Sequence, residues 1–156
     1  MDKCLINKFE MKDPSACKKI LGMEIHRDRR TGEFHLSQKK YLEKVLDRFN
    51  MSDCKSVSTP LVAHFKLSFD SCPKIEEEIE KMSDVLYSSA VGSLMYAVVC
   101  IRPDLSFVVS AMSFFMHNPS KDHWDAVKWI LRYMRGSLNK YLVFDKSKSI
   151  ILNAIV

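Results

Sequence analysis

Tyr41, Leu42, Val45, Leu46 and Phe49 recur at i, i+4 and i+8, which places them on one face of a helix opening after Ser37, a good N-cap residue. The same periodicity returns from about Asp84 to Ile101, where Tyr87, Ala90, Val91, Leu94, Met95 and Val98 form the inward face. Gly92 costs that helix stability relative to Ala and implies close approach of a neighbouring helix. Pro103 suits the first turn of a further helix with Leu105, Val108, Val109, Met112 and Phe115 inward, and Pro119 opens another in the same way. Ile20 to His26 and Phe34 to Leu36 read as strands, joined through Arg29-Arg30-Thr31-Gly32. Tyr141 to Phe144 and Ile150 to Val156 read as two more, and Met1 to Met11 as a helix ending near Asp13-Pro14.

These elements predict an α+β fold in four parts. Residues 1–50 form a small β-hairpin plus helix, and residues 51–84 an acidic connector in which periodicity fades. Residues 85–136 form a three-helix bundle, and residues 137–156 hold terminal strand remnants. At 156 residues the chain fits one domain with a real core. Its longest apolar run, Leu94 to Ile101, falls far short of the roughly 20 residues that span a bilayer, so no membrane role is expected. The N-terminus has no apolar secretion segment, and Cys4, Cys17, Cys54, Cys72 and Cys100 include no Cys-x-x-Cys pair. An intracellular protein, cytoplasmic or nuclear, with reduced thiols is the expectation.

Charge is uneven along the chain. Residues 1–50 carry twelve Lys/Arg against eight Asp/Glu, residues 51–84 four against seven, and residues 85–156 eight against four. Basic parts flanking an acidic connector suit a polyanionic partner. On the last helix, Trp124, Val127, Ile130, Leu131 and Met134 form the apolar arc. Lys128, Arg132 and Arg135 fall beside it at i, i+4 and i+7, with Trp129 beyond. Such a stripe binds phosphates and stacks on a base, and a solvated helix with snorkelling Lys and Arg has the same pattern. Both readings stand. His117 and His123 flank Asn118-Pro119 at a spacing that suits capping or packing rather than metal ligation. The run Glu76, Glu77, Glu78 and Glu80 reads as a solvated face, so no metal site and no catalytic residue is assigned.

Four words in order carry a family resemblance: Tyr87–Tyr96 around Val91-Gly92, Ile101-Arg102-Pro103-Asp104-Leu105, Asn118-Pro119 through His123-Trp124, and Leu131-Arg132-Tyr133-Met134-Arg135-Gly136. Upstream, Phe9–Asp13, Ile20–Ile25, Leu36–Tyr41 and Ser58-Thr59-Pro60 extend it. Together they resemble the C-terminal part of the reverse transcriptase region of copia-type retrotransposon Pol polyproteins, just before ribonuclease H. Ile101 replaces the usual Thr, Met134 the usual Leu, and Pro14-Ser15 the usual Leu-Gly.

The resemblance implies a thumb- or connection-like bundle that positions a primer–template duplex, RNA–DNA or DNA. It implies that the hairpin around Leu21, Gly22 and Met23 is primer-grip-like, where a residue without Cβ lets backbone approach a phosphate. It also implies catalytic carboxylates that hold Mg2+ in an intact family member, as adjacent Asp residues before the Phe-Glu-Met block. Eight residues precede Phe9 here, and no Asp-Asp pair occurs in the sequence. The expectation is therefore a polymerase fragment without chemistry of its own, whose partners in an intact polyprotein are the upstream palm and fingers and the downstream ribonuclease H. A helical protein-interaction module with no nucleic-acid role is the alternative.

Overall fold

The structure is a computed structural model that describes residues 18–62, 65 and 67–145. The expected helix at Met1–Met11 and strand at Ile150–Val156 lie outside the described residues. Two layers result, as the α+β reading expects. One is a four-stranded antiparallel sheet in the order β1 (Lys19–Ile20), β2 (Met23–Asp28), β3 (Glu33–Ser37) and β4 (Leu142–Asp145). The other contains α1 (Lys39–Arg48), α2 (Glu76–Ser83), α3 (Tyr87–Cys100), α4 (Ser106–Ser113) and α5 (Lys121–Gly136). None of the described helices is long and apolar enough by itself to cross a membrane.

Hydrophobic periodicity located most of these elements and missed some details. The expected single strand from Ile20 to His26 is broken, because Leu21 and Gly22 form a two-residue turn between β1 and β2. The expected turn at 29–32 is present; there the Asp28 side chain accepts the Arg30 N–H at 2.8 Å, a bond that with that of Thr31 holds its pKa below the usual carboxylate value. The N-cap of α1 is Gln38 rather than Ser37, although the Ser37 hydroxyl accepts the Lys39 N–H at 3.3 Å. Pro119 sits one residue outside the N-cap of α5, which is Ser120. The acidic part of the connector is itself helical: Glu76, Glu77 and Glu78 occupy the first turn of α2, where the helix dipole favours negative charge. Its side chains face solvent, as the solvated-face reading expects.

The core lies between α1, α3, α4 and α5. Leu42 and Leu46 of α1 pack with Tyr87, Leu94, Met112, Ile130 and Met134 in one cluster. The first expected helical unit and the later bundle thus share a core. Two expectations about α3 are corrected. Met95 faces outward and Ala97 inward, because nearly every α3 residue is apolar or small and the neighbours decide which arc is covered. Gly92 is exposed, and a Cβ there would meet no atom within 4 Å, so close helix approach does not explain it.

The sheet is covered less well. Its register places Ile20, Met23, Ile25, Phe34, Leu36, Leu142 and Phe144 on one face, yet none of them is fully buried. At the break between α3 and α4, Arg102 is 1% exposed, and its guanidinium donates twice to Asp104, at 3.0 and 2.9 Å. The Tyr133 hydroxyl donates to the same carboxylate at 3.1 Å, which ties the break to α5.

Candidate nucleic-acid interface

The Leu21-Gly22 turn takes positive φ at both positions, 49° and 76°, as two-residue hairpin loops do when they match the right-handed twist of their strands. Glycine adopts that geometry without strain, whereas leucine does so at a cost of order 1 kcal/mol. A Cβ on Gly22 would lie 3.8 Å from the Tyr96 hydroxyl oxygen, ordinary contact, so the backbone angle rather than space favours glycine. The Leu21 side chain is 73% exposed, and Met23 is half-buried at the start of β2. From behind, the Tyr96 hydroxyl of α3 donates to the Leu21 carbonyl. Tyr96 is held in turn by the edge of Tyr41, with ring centroids 5.0 Å apart, and the Tyr41 hydroxyl donates to the Ser93 carbonyl at 3.0 Å.

Lys128, Trp129, Arg132 and Arg135 line up along α5 as expected, and each has an intramolecular partner. Trp129 Nε1 donates to the Thr59 carbonyl at 2.9 Å, Arg132 Nε to Lys55 at 2.8 Å, and Arg135 Nε to Ser52 at 2.5 Å. Donors advance along α5 while acceptors retreat along the connector, so residues 52–59 run antiparallel to the helix. Gly136 permits the approach, since a Cβ there would lie 3.0 Å from Ser56 Cβ. The Arg132 guanidinium also lies over the Trp129 ring at 4.9 Å, and Lys128 pairs with Asp125 at 2.6 Å. Spacing gave the stripe, but it could not show that carbonyls some 70 to 80 residues away occupy its donors. Tyr96 was visible as the last residue of a family word, with no sign in the spacing that its hydroxyl reaches Leu21.

His123 is fully buried and closes a capping box. Its Nδ1 accepts the Ser120 N–H at 3.0 Å, its own N–H donates to Ser120 Oγ at 3.3 Å, and its ring stacks on Phe115 at 3.8 Å. Capping and packing, as expected, account for it, and burial pushes its pKa below the usual value. Among the described residues no three His, Cys, Asp or Glu side chains converge as metal ligands. The described donors therefore do not fit the Mg2+ that the resemblance implies for an intact polymerase.

A reverse transcriptase (RNA-dependent DNA polymerase) family model matches residues 1–63. The chain is also 53% identical over 147 residues to the retrovirus-related Pol polyprotein from transposon TNT 1-94 of Nicotiana tabacum, covering 94% of this chain and 11% of that protein. The chain belongs to the copia-type retrotransposon Pol family. Two further Pol polyproteins, from transposons RE1 and RE2 of Arabidopsis thaliana, are 38% and 35% identical over 150 residues, each covering 96% of this chain and 10% of the relative. The chain thus spans about a tenth of the length of these Pol relatives. No solved structure matches. Within the Pol family it is reverse transcriptase-like sequence.

Proposed function

We propose that this chain is a duplex-positioning part of a copia-type reverse transcriptase and supplies no metal-ion chemistry of its own. The observation that carries the reading is the Leu21-Gly22 turn: a two-residue tip with an exposed apolar side chain, whose carbonyl is held by a tyrosine hydroxyl. Such a tip rests against the sugar–phosphate backbone, with Lys18 and, on β1, Lys19 preceding it in the chain. Contacts of this kind orient a duplex and carry no base identity. In the intact polyprotein, upstream palm and fingers and downstream ribonuclease H are its partners. The sequence has no adjacent Asp pair, which supports positioning over nucleotide addition.

Anisotropy with an RNA–DNA hybrid tests the reading. Leu21→Glu, on an exposed side chain, is expected to weaken binding about tenfold without changing the fold, since it sets a negative charge against phosphates. Parental affinity would sink the turn reading. Primer extension with Mg2+ or Mn2+ is expected to give no product; template-directed incorporation that disappears on mutation of this chain would refute the non-catalytic part.

A second reading, a helical protein-interaction module, draws on the outer faces of α3 and α4, where Val99, Phe107 and Phe114 are exposed and neither helix carries a charged residue. A stoichiometric protein partner lost on Phe107→Ser, with no affinity for duplex, would favour it.

A further inference from the structure

We infer that Tyr96 is a positioning residue for the duplex-contacting turn, coupling the helical layer to the Leu21-Gly22 tip through its hydroxyl. The inference rests on the turn reading proposed above. Tyr96 and Leu21 are 75 positions apart in sequence, and the O–H to carbonyl bond joins them across the two layers. The acceptor belongs to a residue with φ of 49°, a conformation that a non-glycine residue keeps only where its surroundings hold it. Tyr96 is therefore placed to fix the angle at which the tip leaves the sheet.

Its own placement is determined from several sides. The Tyr41 ring packs against it at 5.0 Å, and Tyr41 is anchored to the backbone of α3 through Ser93. None of the residues of β1 to β3 is fully buried; Lys40 of α1 pairs with Glu24 at 2.5 Å beside the turn, and it is the Tyr96 bond that reaches the turn itself. With Tyr96 in place, α3 and α1 set where the tip stands, and a duplex meets a turn whose ordering cost is already met in the free protein.

Tyr96→Phe removes the hydroxyl and keeps the ring. The purified chain, probed with an RNA–DNA hybrid bearing a recessed 3′ end, is expected to bind about three- to tenfold more weakly, the range for one hydrogen bond. The salt dependence should keep its slope, because no phosphate contact is removed. Amide exchange at Leu21, Gly22 and Met23 should rise while exchange along α3 stays parental. Parental affinity alongside faster turn exchange would make the bond merely structural and overturn the inference, as would parental turn exchange or a loosened α3. The Leu21→Glu variant separates the two claims. If it loses affinity and Tyr96→Phe does not, this inference alone fails; if Leu21→Glu binds normally, the turn reading fails and takes this inference with it.

Discussion

At the scale of single residues, a buried His123 and a half-buried Asp104 make stability depend on pH. His123 is neutral in the fold, and burial depresses its pKa. A base of this kind takes up its proton more readily when unfolded, so its contribution is full above about pH 6.5 and is lost as pH falls from there through the folded pKa. Urea unfolding is expected to show a downward slope in stability below about pH 6.5 that His123→Gln, which can still cap at that position, lacks. An identical slope in the variant would assign the effect elsewhere. Asp104 titrates lower. Burial pushes its pKa up, but the Arg102 hydrogen bonds and charge outweigh it, and the net shift is downward. Its contribution is present above about pH 4 and lost as pH falls below. Asp104→Asn strands the buried Arg102 charge and is expected to cost about 3 kcal/mol. The double variant Arg102→Met/Asp104→Leu should cost less than Asp104→Asn alone; a double variant at least as costly would show that the network gains more than it pays in desolvation.

At the scale of elements, α5 carries the most information. Its apolar arc faces the core, and its Trp129, Arg132 and Arg135 donors fasten residues 52–59. Replacing Arg132 and Arg135 by Gln removes two of those ties, each contributing about 1 kcal/mol. Amide exchange across 52–59 should accelerate while the interior of α5 stays protected. If that segment exchanges at parental rates, the ties are incidental. The combined charge reversal Lys128→Glu, Arg132→Glu and Arg135→Glu would therefore act in two ways, by repelling phosphates and by releasing the connector. The milder Gln variants distinguish them: connector release without weaker duplex binding would restrict the arginines to bracing.

At the scale of the whole molecule, the helical layer has a complete core and the sheet does not. Buried apolar side chains contribute roughly 1.5–3 kcal/mol each, and Leu94, Leu105, Ile130, Leu131 and Met134 are all fully buried in the helical layer. The strand residues are half-covered or exposed. Local opening follows that contrast, so amides of α3 and α5 should be protected well beyond those of β1 to β4. Equal protection across both layers would show that the sheet is as securely covered as the bundle.

The sequence by itself determined most of the elements and the family. Regular apolar spacing located α1, α4 and α5, because amphipathic helices record their inward face in the chain, and the ordered words from Tyr87 to Gly136 carried the resemblance. Where spacing was degenerate or local it failed. In α3 nearly every position is apolar or small, so only packing chose Ala97 over Met95. The Leu21-Gly22 turn lay hidden inside an apolar run. The α5 stripe was read correctly as a stripe, but its partners are carbonyls of a distant connector, and main-chain acceptors leave no side-chain signal. Long-range hydrogen bonds such as Tyr96 to Leu21 depend on where two layers meet, and only the tertiary structure decides that.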